Sequence, residues 1–147
     1  SAIIVDTIVA FYLLITNRGG KYVREWYNKL NIGAFTLDIL SIVFGTYFAV
    51  LLTNNIYKQI IYTIIIGLIH DLSFGYFLKN TNYNSSILKL FKNYANELGI
   101  TIVIVDALML VSTILIGYLL KNNLNSNIIK LIGIITAYMG LLMVYSF

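Results

Sequence analysis

The stretch QIIYTIIIGLIHDLSFGYFL, residues 59–78, decides the fold class. As an α-helix it is about 30 Å long, which matches the hydrocarbon core of a bilayer. The residues of this stretch are apolar, small or uncharged except for one adjacent pair, His70 and Asp71. The length and composition of this stretch predict a transmembrane helix, and the pair raises the question of what an acid does there.

Four further apolar segments occupy residues 2–16, 33–53, 100–120 and 128–147. The first is only about 22 Å long as a helix, so it either spans with little tilt or is re-entrant. Because lipid offers no hydrogen-bond partners to backbone N–H and C=O groups, each segment is predicted to be helical. The fold class is therefore all-α: a polytopic membrane helical bundle of about five transmembrane helices, forming one domain over 1–147.

The overall composition supports this class. Hydrophobic residues make up 59% of the chain and charged residues 11%, against about 25% charged in typical soluble proteins. The absence of cysteine excludes disulfides, thiolate metal sites and cysteine nucleophiles. The basic residues are spread over the loops, so no nucleic-acid partner is expected. The expected partner is the lipid bilayer, with a homo-oligomer or other membrane proteins as further possibilities.

Two polar connectors contain amphipathic stretches, KYVREWYNKL (21–30) and SSILKLFKNYANEL (85–98). Apolar and aromatic residues at spacings of three and four favour two short interfacial helices. The alternative is an amphipathic helix packed on protein. These two loops, 17–31 and 79–99, also carry most of the lysines and arginines, so the positive-inside rule places them in the cytoplasm.

A weak internal repeat links the two halves of the chain. NKLNIGAFTLDIL (28–40) and NELGITIVIVDAL (96–108) share several residues at an offset of 68. Each unit would be an interfacial helix followed by two spans. A duplication with repeat units 20–78 and 85–147 is therefore possible.

Four of the six acidic residues fall inside apolar segments: Asp6, Asp38, Asp71 and Asp106. Left unpaired, four such residues would cost on the order of 10 kcal/mol to insert. Asp38, Asp71 and Asp106 reach a similar depth on the cytoplasmic side, and Asp6 is nearer the middle. We therefore predict that these residues, with His70, form a polar intramembrane cluster.

Small residues repeat on the same helical faces as three of these acids. This pattern indicates that these faces are buried against other helices. The stripes are Thr63, Gly67, Asp71 and Gly75 on one span, Asp38, Ser41, Gly45 and Ala49 on another, and Asp106, Thr113 and Gly117 on a third.

Several roles fit such a cluster. Protonated aspartates can hold helices together by hydrogen bonds between them. Intramembrane Asp and His residues can also line a path for protons or cations. Asp38, Asp71, Asp106 and His70 are possible ligands of a divalent cation. A metal-dependent enzyme acting on lipid is a further alternative, but no GxSxG, phosphate-binding or HExxH motif is present, so no catalytic residue is predicted.

The stretch from HDLSF (70–74) through LKLFKNYANELG to the following span resembles a family of uncharacterised late membrane proteins of giant nucleocytoplasmic DNA viruses. The matching residues are His70, Asp71, Phe91, Lys92, Tyr94, Ala95, Glu97, Gly99, Asp106 and Met109, and the stretch Trp26 to Ser41 is also similar. The resemblance implies a virus-encoded multi-pass protein of the virion's internal membrane or of host membranes. It implies no activity or cofactor.

Overall fold

The computed structural model describes residues 1–80 and 85–146, and the part of the chain it describes is built from α-helices, as predicted. In chain order they are α1 (Ala2–Thr16), α2 (Gly20–Leu30), α3 (Ile32–Leu52), α4 (Ile56–Asn80), α5 (Ser86–Leu98), α6 (Ile100–Asn123) and α7 (Ser126–Val144).

Four helices, α3, α4, α6 and α7, are long and apolar enough to cross a membrane. The first predicted span is the 15-residue α1, which meets α2 at an angle of 117°. Counting this bent pair as one broken span gives five. Leucines and isoleucines cover the outside of the long helices, which is the surface that lipid requires. The prediction of a multi-pass helical bundle is confirmed.

The two connecting helices, α2 and α5, pack against each other at one end of the bundle. Their apolar faces are buried on protein: Val23, Trp26 and Tyr27 join Leu90 in the main hydrophobic core. Aromatic rings of these helices thus contact the bundle, and the position of the helices in the membrane interface stays a prediction. We call this end the α2/α5 end, and the opposite end, where α3 joins α4 and α6 joins α7, the hairpin end.

A long-range cap joins the two connecting helices. The Glu97 carboxylate near the end of α5 accepts hydrogen bonds from the backbone N–H groups of Lys21 and Tyr22, both at 3.1 Å. These N–H groups belong to the first turn of α2, where helices lack internal partners. Gly20 has a φ of 77°, and a Cβ there would lie 2.8 Å from the Glu97 carboxyl carbon. Glycine is therefore required at this position.

The order of helices repeats along the chain. α2, α3 and α4 are followed by α5, α6 and α7, and α3 and α6 each follow a one-residue joint. The joints have nearly the same backbone conformation, with φ 47° and ψ −121° at Asn31 and φ 53° and ψ −127° at Gly99. Their numbers differ by the offset of the sequence repeat. A common origin of the halves stays a prediction, but the local geometry of the two joints agrees with it.

Packing departs from this repeat around α1. Helix α3 packs extensively on α4, whereas α6 and α7 have few mutual contacts, and α1 packs against both of them and against α3. Helix α4 packs most extensively on α6. The first helix therefore lies inside the bundle rather than at its edge.

Leu110 of α6 fixes the contact of three helices. A Cβ at Gly67 of α4 would lie 2.6 Å from one Leu110 methyl group, and a Cβ at Gly45 of α3 would lie 3.0 Å from the other. The leucine side chain thus fits between two glycines, which is how small residues let membrane helices approach closely. This contact closes the bundle just beyond the level of the aspartates.

Candidate functional site

A cavity of about 940 Å³ opens inside the bundle toward the α2/α5 end. All five residues of the predicted polar cluster line it: Asp6, Asp38, His70, Asp71 and Asp106. They come from four different helices, α1, α3, α4 and α6. Leu110 also lines the cavity, together with the two glycines it contacts. That these residues act together as a functional site stays a prediction.

Asp38 is held by the connecting helix that precedes it. Its Oδ2 accepts a hydrogen bond of 2.7 Å from the Tyr27 hydroxyl and one of 3.3 Å from Trp26 Nε1. Both donors are buried. The positive φ of Asn31 turns the chain sharply between α2 and α3, so that a residue in the second turn of α3 faces the last turns of α2. The carboxylate therefore ties α2 to α3.

The adjacent residues His70 and Asp71 contact each other directly. His70 Nδ1 and Asp71 Oδ1 lie 3.0 Å apart on adjacent residues of α4. The Asp71 side chain is 14% exposed and the His70 side chain 51% exposed. The imidazole also lies parallel to the Phe74 ring, with centroids 6.2 Å apart. His70 thus borders the cavity, while Asp71 turns inward.

Asp6 is the most deeply buried of the four acids, with 2% of its surface exposed. Its Oδ2 has no hydrogen-bond partner in the described residues. It interacts electrostatically with Asp38, and Asp106 interacts with Asp71 and Asp38. A buried oxygen without a partner costs about 1–3 kcal/mol. Asp6 therefore holds a buried oxygen whose hydrogen-bonding capacity is not satisfied by the described residues.

The aspartates share a cavity without forming a metal centre. Within residues 1–80 and 85–146, no three His, Asp or Glu side chains lie close enough together to hold a metal ion. The predicted possibility of a divalent cation on Asp38, Asp71, Asp106 and His70 has no geometric support there.

Aromatic rings complete the cavity wall near the α2/α5 end. The Phe91 ring of α5 lies 4.5 Å from the Trp26 ring and 5.4 Å from the Phe74 ring, measured between centroids. Tyr94 and Lys92 of α5 also line the space. Faces of Trp and Tyr rings attract cations, and more so away from water. The cavity therefore combines carboxylates with aromatic surface.

The two phenols beside the acids stay neutral. Burial raises the pKa of Tyr27 above its ordinary value, and the nearby Asp38 and Asp6 carboxylates raise it further. Burial also raises the pKa of Tyr94, with added repulsion from Asp106, Asp38 and Asp71. A neutral phenol donates a hydrogen bond to a carboxylate, as the Tyr27 hydroxyl does to Asp38. These tyrosines therefore support negative charge in the cavity without adding to it.

No protein-family model matches the chain, and neither the curated proteins nor the solved structures contain a significant match. The function must therefore be argued from the geometry of the cavity.

Several contributors to the site were not singled out by sequence reasoning. Trp26 and Tyr27 are not predicted as partners of Asp38, although their positions shortly before it, across a one-residue joint, are the available signal. Asp6 is predicted only to lie nearer the middle of the membrane than the other three acids. Its burial depends on how α1 packs, and the sequence carries no direct signal for that.

Proposed function

We propose that this chain is a multi-pass membrane protein that binds an organic ammonium-type cation in the acid-lined cavity. The observation that carries the proposal is that one cavity presents all four intramembrane aspartates together with aromatic rings. Its volume of about 940 Å³ falls at the upper end of the range of about 300–1,000 Å³ typical of small-molecule sites.

The chemistry of the walls supports this ligand class. A cationic head would lie beside Asp71 and Asp106, where the acids repel one another. Trp26 and Phe91 line the same space and add aromatic surface for its alkyl groups. A structural role alone, in which hydrogen bonds hold helices together, accounts for Asp38, whose Oδ2 accepts two hydrogen bonds from α2. It leaves the cavity unexplained.

The test is calorimetric titration of the detergent-solubilised chain with benzyltrimethylammonium. Its uncharged carbon analogue, 2,2-dimethylpropylbenzene, is the matched ligand control because it has the same shape. We expect the cation to bind and the Asp71→Asn/Asp106→Asn variant to bind it at least tenfold more weakly. Glu25→Gln removes an acid that does not line the cavity and should change nothing. Equal binding of the analogue, or unchanged affinity in the double variant, would refute the proposal.

We also propose, from the resemblance, that the protein is virus-encoded and resides in the virion's internal membrane or in a host membrane, with loops 17–31 and 79–99 in the cytoplasm. The basic residues of these loops support this orientation. Because the chain has no cysteine, single cysteines at positions 29 and 54 test it. An impermeant maleimide should label intact cells at position 54 and label position 29 only after permeabilisation. The reverse pattern would contradict the orientation.

A further inference from the structure

A groove of about 460 Å³ lies on the outside of the bundle, between α3 and α4. Its lining consists of one residue of α3 and one face of α4: Phe44, Ile66, Ile69, His70, Ser73, Phe74 and Phe77. Phe44 is 56% exposed and Ile69 61% exposed, so the groove faces the space that lipid fills. From Ile66 to Phe77 it follows α4 for about 16 Å, which is long enough for an alkyl chain.

The groove and the acid-lined cavity share part of their lining. Phe44, Ile66, His70 and Phe74 border both spaces. The two spaces therefore lie side by side, with these four residues between them. The His70 side chain is half exposed, and exposed side chains change rotamer within picoseconds to nanoseconds. This boundary is thus a place where a chain of methylene groups can pass between the bilayer and the cavity.

Polar groups mark the point where the groove meets the acids. His70 and Ser73 are exposed on the groove, although ionisable residues of membrane spans usually face the bundle interior or water. On its inner side His70 contacts Asp71, which turns into the cavity. The site therefore changes from apolar to acidic across His70. This arrangement matches a ligand that is apolar at one end and cationic at the other.

We propose that the natural ligand of the cavity is a single-chain alkylammonium amphiphile that enters sideways from the bilayer. Its ammonium head lies beside Asp71 and Asp106, and its alkyl chain passes His70 and lies in the groove between α3 and α4. The acids attract the head, and the apolar side chains of the groove contact the chain. This inference rests on the proposed cation site and deepens it by naming the class of cation.

The experiment is calorimetric titration of the full chain in lipid nanodiscs with octyltrimethylammonium, with the heat of empty nanodiscs subtracted. Ser73→Phe fills the groove without touching the acids, and we expect it to weaken binding of octyltrimethylammonium at least tenfold. Benzyltrimethylammonium, which has no long chain, should bind the same variant as it binds the wild type. The Asp71→Asn/Asp106→Asn variant should bind both cations at least tenfold more weakly.

Leu68→Phe is the matched control, because it adds a ring to the exposed surface of α4 at a residue that lines neither the groove nor the cavity. It should leave the affinity for both cations unchanged. If Ser73→Phe does not fold, Ile69→Phe narrows the same groove and should weaken octyltrimethylammonium binding in the same direction.

The two proposals fail in different ways. If benzyltrimethylammonium binds the wild type but folded groove variants bind octyltrimethylammonium as tightly as the wild type does, the alkyl chain does not use the groove and this inference is overturned. An equal loss in Leu68→Phe would also overturn it. If neither cation binds the wild type, the cation site itself is refuted, and the inference with it.

Discussion

Replacement of Gly67 by alanine tests the packing that closes the cavity. The added Cβ would lie 2.6 Å from a Leu110 methyl group, whereas ordinary contact begins at 3.4 Å. Leu110 cannot simply turn away, because its other methyl group lies against Gly45. Overpacking of this kind costs about 1–3 kcal/mol. We therefore expect Gly67→Ala to lower the free energy of unfolding by that amount.

Two variants make the interpretation specific. Gly75→Ala lies on the same helix with nothing within 4 Å of its Cβ, so it should be neutral or stabilise by up to about 1 kcal/mol through helix propensity. In a Leu110→Ala background the methyl group that obstructs the new Cβ is gone. The cost of Gly67→Ala should then largely disappear, giving a coupling energy of about 1–3 kcal/mol.

The assay is reversible SDS unfolding in mixed micelles, followed by the fluorescence of Trp26, the single tryptophan of the chain, which is buried. The reasoning fails if Gly67→Ala is as mild as Gly75→Ala. It also fails if the cost of Gly67→Ala is the same with and without Leu110.

Three further predictions use the same unfolding assay. Tyr27→Phe removes the 2.7 Å hydrogen bond to Asp38 and should cost about 1.5–3 kcal/mol; no loss would show that the bond is not formed. Glu97→Ala uncaps α2 and should cost about 0.5–2 kcal/mol, with Glu97→Gln intermediate, and equal losses for both would contradict the capping role. Because burial and carboxylates raise the pKa of Tyr27 and Tyr94, stability should hold below pH of about 10 and fall above it as the unfolded chain ionises. Phenylalanine at both positions should reduce this loss of stability at high pH. An unchanged pH profile would refute the assignment of the loss to the two phenols.

The helices themselves could be predicted from sequence to within a few residues. The segment 59–78 lies inside α4, and the segment 100–120 starts with α6. Uninterrupted apolar runs between asparagine-rich connectors determine these bounds, because the bilayer sets the length and leaves helix as the only choice.

Which residues meet inside the bundle was only partly predictable. The small-residue stripes correctly put Gly67 and Asp71 on one inward face, since that follows from helical periodicity. Periodicity within α6 places Leu110 on the same face as Asp106 and Thr113, but its fit between Gly45 and Gly67 depends on the partner helices that face it. The burial of Trp26 on protein likewise depends on the turn at Asn31, a backbone conformation that composition does not reveal.

The position of α1 has a consequence for the symmetry of the cavity. Under the offset of 68, Asp38 corresponds to Asp106, and the cavity lined by both residues therefore lies between the two halves of the chain. Helix α1 stands outside the repeated order of helices, packs against α3, α6 and α7, and adds Asp6 to this space. The arrangement of acids in the cavity is therefore asymmetric, whatever the origin of the two halves.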